Sequence, residues 1–124
     1  MARPSQPGLT ENELDVMKVL WKEAPLKVSE ILEKLTRKTK PAYTSLLTLV
    51  QTMESKGYIA HEQDGKAYTY FPKLQQHNFT NNEIKRVAER LFNNSPFALA
   101  VNLVQDEHLS AEEIRQLRQM FELK

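Results

Sequence analysis

A chain of 124 residues with 40% hydrophobic side chains carries enough apolar material for one compact core and a small appendage, and too little for two large domains. Its 17 Lys and Arg against 16 Asp and Glu leave a formal charge of +1, so no global basic field announces a polyanionic partner. Cysteine is absent, which excludes disulfide frameworks, thiolate metal sites and thiol redox sensing. No apolar run is long enough to cross a bilayer, and "MARPSQPGL" lacks the apolar centre of a signal peptide, so a cytoplasmic location is expected.

Three segments share one helix-start pattern: "LTENEL" at 9–14, "FTNNEI" at 79–84 and "LSAEEI" at 109–114. Each offers a Thr or Ser cap (Thr10, Thr80, Ser110) with Glu three places on (Glu13, Glu83, Glu113). An apolar residue before each cap can pair with one after it: Leu9 with Leu14, Phe79 with Ile84, Leu109 with Ile114. The first helix is expected over about residues 11–22, burying Leu14, Met17 and Trp21 with Val16 and Leu20. A second, about 28–36, shows Val28, Ile31, Leu32 and Leu35 at helical spacing, and Pro25 separates the two.

The third segment, "KPAYTSLLTLVQTMESKG" at 40–57, begins near Pro41 and stops at Gly57. At about 100° per residue, Thr44, Ser45, Thr48, Gln51 and Thr52 share an arc of roughly 120°, with Leu46, Leu49, Val50 and Met53 opposite. That polar face lacks the Glu, Lys and Arg of an ordinary solvated surface. Either it is a surface helix with a chance run of Thr, or a face meant to touch something. Small hydroxyls donate and accept hydrogen bonds without charge, and a Thr methyl can pack on thymine in a major groove. No acidic residue occurs between Glu33 and Glu54, whereas Lys34, Arg37, Lys38 and Lys40 crowd the approach to this helix, where phosphate-positioning contacts would be wanted.

Next, "YIAHEQDGKAYTYF" alternates around Asp64-Gly65, a pair favoured in tight hairpin turns. Three helices and then a hairpin is the order of a winged helix-turn-helix. The expected architecture is therefore mainly α with a small β-hairpin wing: a winged helix-turn-helix DNA-binding domain over 1–74, then a three-helix dimerisation domain over 75–124. The latter holds helices at about 81–92, 96–105 led by Ser95-Pro96, and 111–122. Their apolar faces are Ile84, Val87, Ala88, Leu91 and Phe92; Phe97, Ala100, Val101 and Val104; and Ile114, Leu117, Met120 and Phe121. So short a segment cannot bury that surface alone, and a second copy on a two-fold axis is the economical partner.

No catalytic constellation is visible. Gly8, Gly57 and Gly65 are scattered, so there is no phosphate loop, and His61, His77 and His108 lack ligand spacing. The acidic pairs Asp106-Glu107 and Glu112-Glu113 flank or open a helix, where the helix dipole accounts for them. Neither an enzyme nor a cofactor is expected.

Over nearly its whole length the chain resembles the BlaI/MecI/CopY family of bacterial transcriptional repressors. The resemblance rests on "LTENELDVMKVLW" as the first helix, "AYTSLLTLVQTMESKGYI" as the recognition helix entering the wing, and "LSAEEIRQLRQMF" as the last dimerisation helix. It implies a homodimer on a palindromic operator, in a bacterial cytoplasm, possible control of β-lactam-resistance genes, Thr44, Ser45 and Thr48 facing bases, and Tyr43 at the backbone or groove. Arg37, Lys38, Lys40 and Lys66 are then expected at phosphates. Relatives often carry Arg or Lys where Thr52 stands, and the cysteine-rich copper motif of one branch is absent. In the β-lactam-responsive branch an Asn-Phe bond is cut by a membrane-linked sensor protease; the corresponding place here looks like Asn102-Leu103. A winged-helix protein-interaction adaptor is the alternative; it would want apolar or aromatic anchors on the 44–52 face.

Overall fold

The computed structural model describes residues 8–37 and 39–122. Helices α1 (Glu11–Lys22), α2 (Val28–Lys34) and α3 (Tyr43–Ser55) precede strands β1 (Ile59–Asp64) and β2 (Ala67–Pro72), and α4 (Gln76–Leu91), α5 (Pro96–Gln105) and α6 (Ala111–Glu122) follow. The chain forms two compact units, one up to Phe79 and one from Thr80.

In the first unit, Thr10 caps α1 as its spacing requires: the Glu13 amide donates to the Thr10 hydroxyl at 3.1 Å and the Thr10 amide to the Glu13 carboxylate at 3.0 Å. The core gathers Val16, Met17 and Leu20 from α1, Ile31 from α2, Leu46, Val50 and Met53 from α3, Ile59 from β1 and Tyr70 from β2. Helix α2 ends two residues earlier than its apolar spacing suggests. Leu35 takes an extended conformation as the C-cap and is still buried, so the apolar period outlasts the helix because the side chain reaches the core by another route.

Helix α3 starts after Pro41 rather than at it: Ala42, in an extended conformation, is the N-cap and Tyr43 the first helical residue. Its C-terminus closes as a Schellman motif. The Tyr58 amide donates to the Met53 carbonyl at 3.1 Å and the Gly57 amide to the Glu54 carbonyl at 3.0 Å, with Gly57 at φ +88° where a β-carbon would be strained.

Strands β1 and β2 pair antiparallel from Ile59↔Pro72 to Asp64↔Ala67, so the two-residue turn is Gly65-Lys66, one position later than the Asp64-Gly65 pair. Gly65, at φ +66°, takes the first central position, the place that demands a positive φ in a turn that opens with glycine. On its other side β2 is held by Leu26, which exchanges both backbone hydrogen bonds with Tyr70 at 3.0 and 2.8 Å. The Trp21 indole donates to the Leu74 carbonyl at 2.8 Å and its ring meets Phe79 at 5.7 Å.

That contact corrects the start of α4. Thr80 is not an N-cap; the helix begins at Gln76 and carries Thr80 inside it. Packing of Phe79 against Trp21 favours five more helical residues upstream, Gln76 to Thr80, and tertiary burial outweighs the local preference of a Thr-Asn-Asn-Glu start. In the second unit α5 and α6 start where expected. The Ala98 amide donates to Ser95 at 3.0 Å, and Ser110 and Glu113 form a reciprocal box at 2.9 and 3.1 Å.

One ionic contact was not legible in the sequence. The Glu13 side chain is almost fully buried, and Lys56, 43 residues away, donates to it at 2.8 Å. Burial pushes the Glu13 carboxyl up, but the Lys56 hydrogen bond, the Thr10 backbone bond and the Lys56 charge together hold it below the ordinary glutamate value. A depressed folded-state value means that this stabilisation is complete above the unfolded-state value and disappears as pH falls through the folded one. Lys56→Ala should therefore cost about 1–3 kcal/mol in denaturant unfolding at neutral pH. The acid-unfolding midpoint should also move to higher pH, and an unchanged midpoint would contradict this account.

Candidate nucleic-acid interface

Burial of Leu46, Val50 and Met53 turns the opposite arc of α3 outward, and Thr44, Ser45, Thr48, Gln51 and Thr52 are all exposed. Ser55 extends the arc by one turn, being seven residues on from Thr48 and exposed, with its hydroxyl donating to the Gln51 carbonyl at 3.2 Å. Its helical spacing carries that signal, although the arc expected from the sequence ended at Thr52.

The hydroxyls are not equivalent. Thr48 donates its proton to the Thr44 carbonyl at 3.1 Å, so outward it presents a methyl and acceptor lone pairs. Among the described residues Thr44 and Ser45 make no side-chain hydrogen bond and keep both donor and acceptor capacity.

The cations differ in the same way. Arg37 donates from Nε to Asp15 at 2.9 Å and from its terminal nitrogen to Asn12, which fixes the guanidinium beside α1. Lys40 donates to the Glu33 carbonyl at 2.9 Å and remains exposed. Lys66 sits at the exposed hairpin turn. Lys38 lies outside the described residues. A cleft of about 320 Å³ separates α1 from α3, with Asn12, Asp15 and Arg37 on one wall and Ser45, Thr48 and Thr52 on the other.

On the wing side, a groove of about 520 Å³ runs between α3 and the hairpin. Tyr43 and Tyr68, each 47% exposed, line it with Gln51, Gln63, Lys27 and Lys66. Of these, Lys27, Gln63 and Tyr68 escaped sequence reasoning: strand alternation places Gln63 and Tyr68 on a face without saying what that face looks toward, and Lys27, the N-cap residue of α2, reaches the groove only once α2 is packed beside α3. Tyr68 is held by stacking on His61, with ring centroids at 4.1 Å, and His61 Nδ1 lies 2.6 Å from the Glu54 carboxylate, tying the hairpin to α3. Below them Tyr70 is buried; burial first, then the charge of Glu54 and the neighbouring Tyr68 and Tyr43, raise its phenol so that it stays neutral.

In the second unit the expected dimerisation residues fall into two groups. Ile84, Leu91, Phe97 and Phe121 are exposed, Phe97 by 79% and Phe121 by 73%. Val87, Val101, Ile114 and Leu117 are half-buried. Asn102 and Leu103 lie within α5, where the Asn102 amide donates to Asp106 at 2.7 Å and Leu103 is 41% exposed.

A sequence profile of the penicillinase repressor family matches residues 9–122. The chain belongs to that family. Similar proteins include the penicillinase repressor of Bacillus licheniformis, 25% identical over 94% of this chain and 91% of the relative. Another is the methicillin resistance regulatory protein MecI of Staphylococcus aureus, 22% identical over 94% of each chain. The solution structure of the DNA-binding domain of the repressor BlaI superposes with a TM-score of 0.50 at 26% identity, over 56% of this chain and 85% of that one. A MarR-like transcription regulator from Bacillus cereus shares the fold, with a TM-score of 0.51 at 15% identity over 91% of this chain and 73% of the other.

A member of the penicillinase repressor family is a DNA-binding transcriptional repressor, and the winged-helix unit is the part of this chain that resembles the solved DNA-binding domain. No helix among the described residues is long and apolar enough to cross a membrane.

Proposed function

We propose that the chain represses transcription as a homodimer whose two α3 helices read the half-sites of a palindromic operator, spaced by one helical turn or a multiple of it. The observation that carries this reading is the uncharged hydroxyl arc held outward by a buried stripe on the same helix. Thr44, Ser45 and Thr48 face bases. Tyr43 and Thr52 border the groove, and Arg37, Lys38, Lys40 and Lys66 position the phosphates. Thr52 offers an exposed hydroxyl, so a contact there is short and neutral. Thr48, its proton committed to the helix, is suited to a donor on a base edge or to a thymine methyl.

Thr44→Ala or Thr48→Ala should weaken cognate binding by about 1–3 kcal/mol and relax base preference at one position of each half-site. Lys40→Ala should weaken all duplexes alike and flatten the salt dependence. Selection from a random DNA pool, followed by titration of the winners, checks both; unchanged base preference in the Thr variants would refute the assignment.

The dimer is supported by Leu91, Phe97, Met120 and Phe121, which stand exposed in one copy of the second unit. Because they are exposed there, Phe97→Glu with Phe121→Glu should leave the monomer folded yet shift sedimentation from dimer to monomer and sharply lower operator affinity, since the half-sites would then bind independently. A monomeric wild-type chain at micromolar concentration would overturn this.

The relatives' names, a penicillinase repressor and a methicillin resistance regulator, support control of β-lactam-resistance or related genes. Relief of repression by a membrane-linked sensor protease would act at Asn102-Leu103. That bond is inside a helix, so α5 must open locally before a protease can hold it extended. Mass spectrometry of the protein from β-lactam-treated cells should show chains cut there, and an intact chain during full derepression would eliminate cleavage as the switch.

A further inference from the structure

A second cleft, of about 390 Å³, lies between α1 and the end of α2, lined by Lys18, Lys22 and Lys34 with Asp15, Glu23 and Thr36. Its two carboxylates are already matched: Glu23 pairs with Lys34 at 3.1 Å and Asp15 with Arg37 at 2.9 Å. Lys18 and Lys22 make no ion pair among the described residues, and both are exposed. The cleft therefore carries an uncompensated positive charge although the chain as a whole is nearly neutral. It adjoins the cleft beside α3, since Asp15 and Leu35 line both. Cations thus run from Arg37, across the cleft from the uncharged face of α3, onto α1.

We propose that this α1–α2 cleft binds phosphates of the operator backbone flanking the bases that α3 reads, with Lys18 and Lys22 as the contacting residues. The inference rests on the proposed role of α3 as the reading helix. Arg37 has a specific part in it. By pairing with Asp15 it neutralises the one carboxylate that stands between the two clefts, where an unpaired negative charge would repel the phosphate path. Lys34 serves in the same way by holding Glu23, so its removal would expose a carboxylate and is not a clean test.

The test uses the full-length protein carrying Lys18→Gln and Lys22→Gln, exposed positions at which the folded chain should melt as the wild type does. Binding to a duplex selected by the wild type should show a salt dependence of log K less steep by about 0.9 for each phosphate that is no longer neutralised. Base preference should stay unchanged, and phosphates outside the read segment should lose their ethylation interference. Lys18→Arg with Lys22→Arg should keep the wild-type slope. An unaltered slope and interference pattern in the Gln variant, while Thr48→Ala still relaxes base preference, would show that α3 reads DNA and the cleft does not touch it. If the wild type enriches no sequence at all, the role assigned to α3 fails and this proposal falls with it.

Discussion

Burial of Leu46, Val50 and Met53 along one side of α3 sets which side of that helix faces outward. A helix can rotate about its axis at little local cost, and Thr, Ser and Gln do nothing to prevent it. What prevents it is the transfer of three large apolar side chains into a core shared with Val16, Met17, Leu20 and Ile31, each worth about 1.5–3 kcal/mol in water-to-core transfer. Rotation by one residue, about 100°, would expose that stripe and bury hydroxyls without partners. The outward arc is thus a by-product of core packing, and the orientation of the proposed reading surface is as well determined as the core is.

The ends of α3 are fixed by different means. At the C-terminus the Schellman closure at Gly57, the Lys56–Glu13 contact and the His61–Glu54 contact bring α1, α3 and the hairpin together within a few residues of chain. The N-terminus has no side-chain cap at all. It is approached instead through a segment whose Arg37 is clamped to α1 by Asp15 and Asn12. One end is set by backbone geometry and ionic contacts, the other by an incoming stretch of chain tied to a neighbouring helix. Unpaired amides at an uncapped N-terminus carry partial positive charge, which would suit the phosphate contacts proposed at this end of the helix.

What could be read from residues alone was what depends on short spacings. The boxes at Thr10–Glu13 and Ser110–Glu113, the Ser95 cap, the glycine stop of α3 and the apolar stripes of the helices all follow from residues a few places apart. What failed depended on residues far apart. The Thr80 box has the same local pattern as the other two, yet Phe79 meets Trp21 from 58 positions earlier and the helix starts upstream. Leu35 kept its burial but not its helix. The Glu13 carboxylate looked like an ordinary capping residue, because nothing near it in sequence announces Lys56. For the site, the hydroxyl arc was visible as an arc, whereas the clamping of Arg37 by α1 and the approach of Tyr68 and Gln63 to α3 were not. Each requires two elements to be placed first.

The division between neutral and charged surfaces bears on how affinity and specificity are separated. A face of Thr, Ser and Gln can discriminate bases but gains little from the phosphate field, because release of condensed counterions needs cations. The cations stand around that face, on the approach to α3, at the hairpin turn and beside α1, and several are partly engaged by Asp15, Glu33 or Glu23. A net charge of +1 offers little non-specific attraction to a duplex, which on the proposed reading would leave mismatched sites as poor competitors. A single copy would bind its own half-site weakly for the same reason. Linking two such readers restores affinity only where both half-sites are present at the right spacing, because the second contact is then made at high effective concentration. If the proposed dimer is the operator-binding form, weak charge on each winged-helix unit and reliance on pairing go together, and losing the dimer would cost more than losing any one hydroxyl.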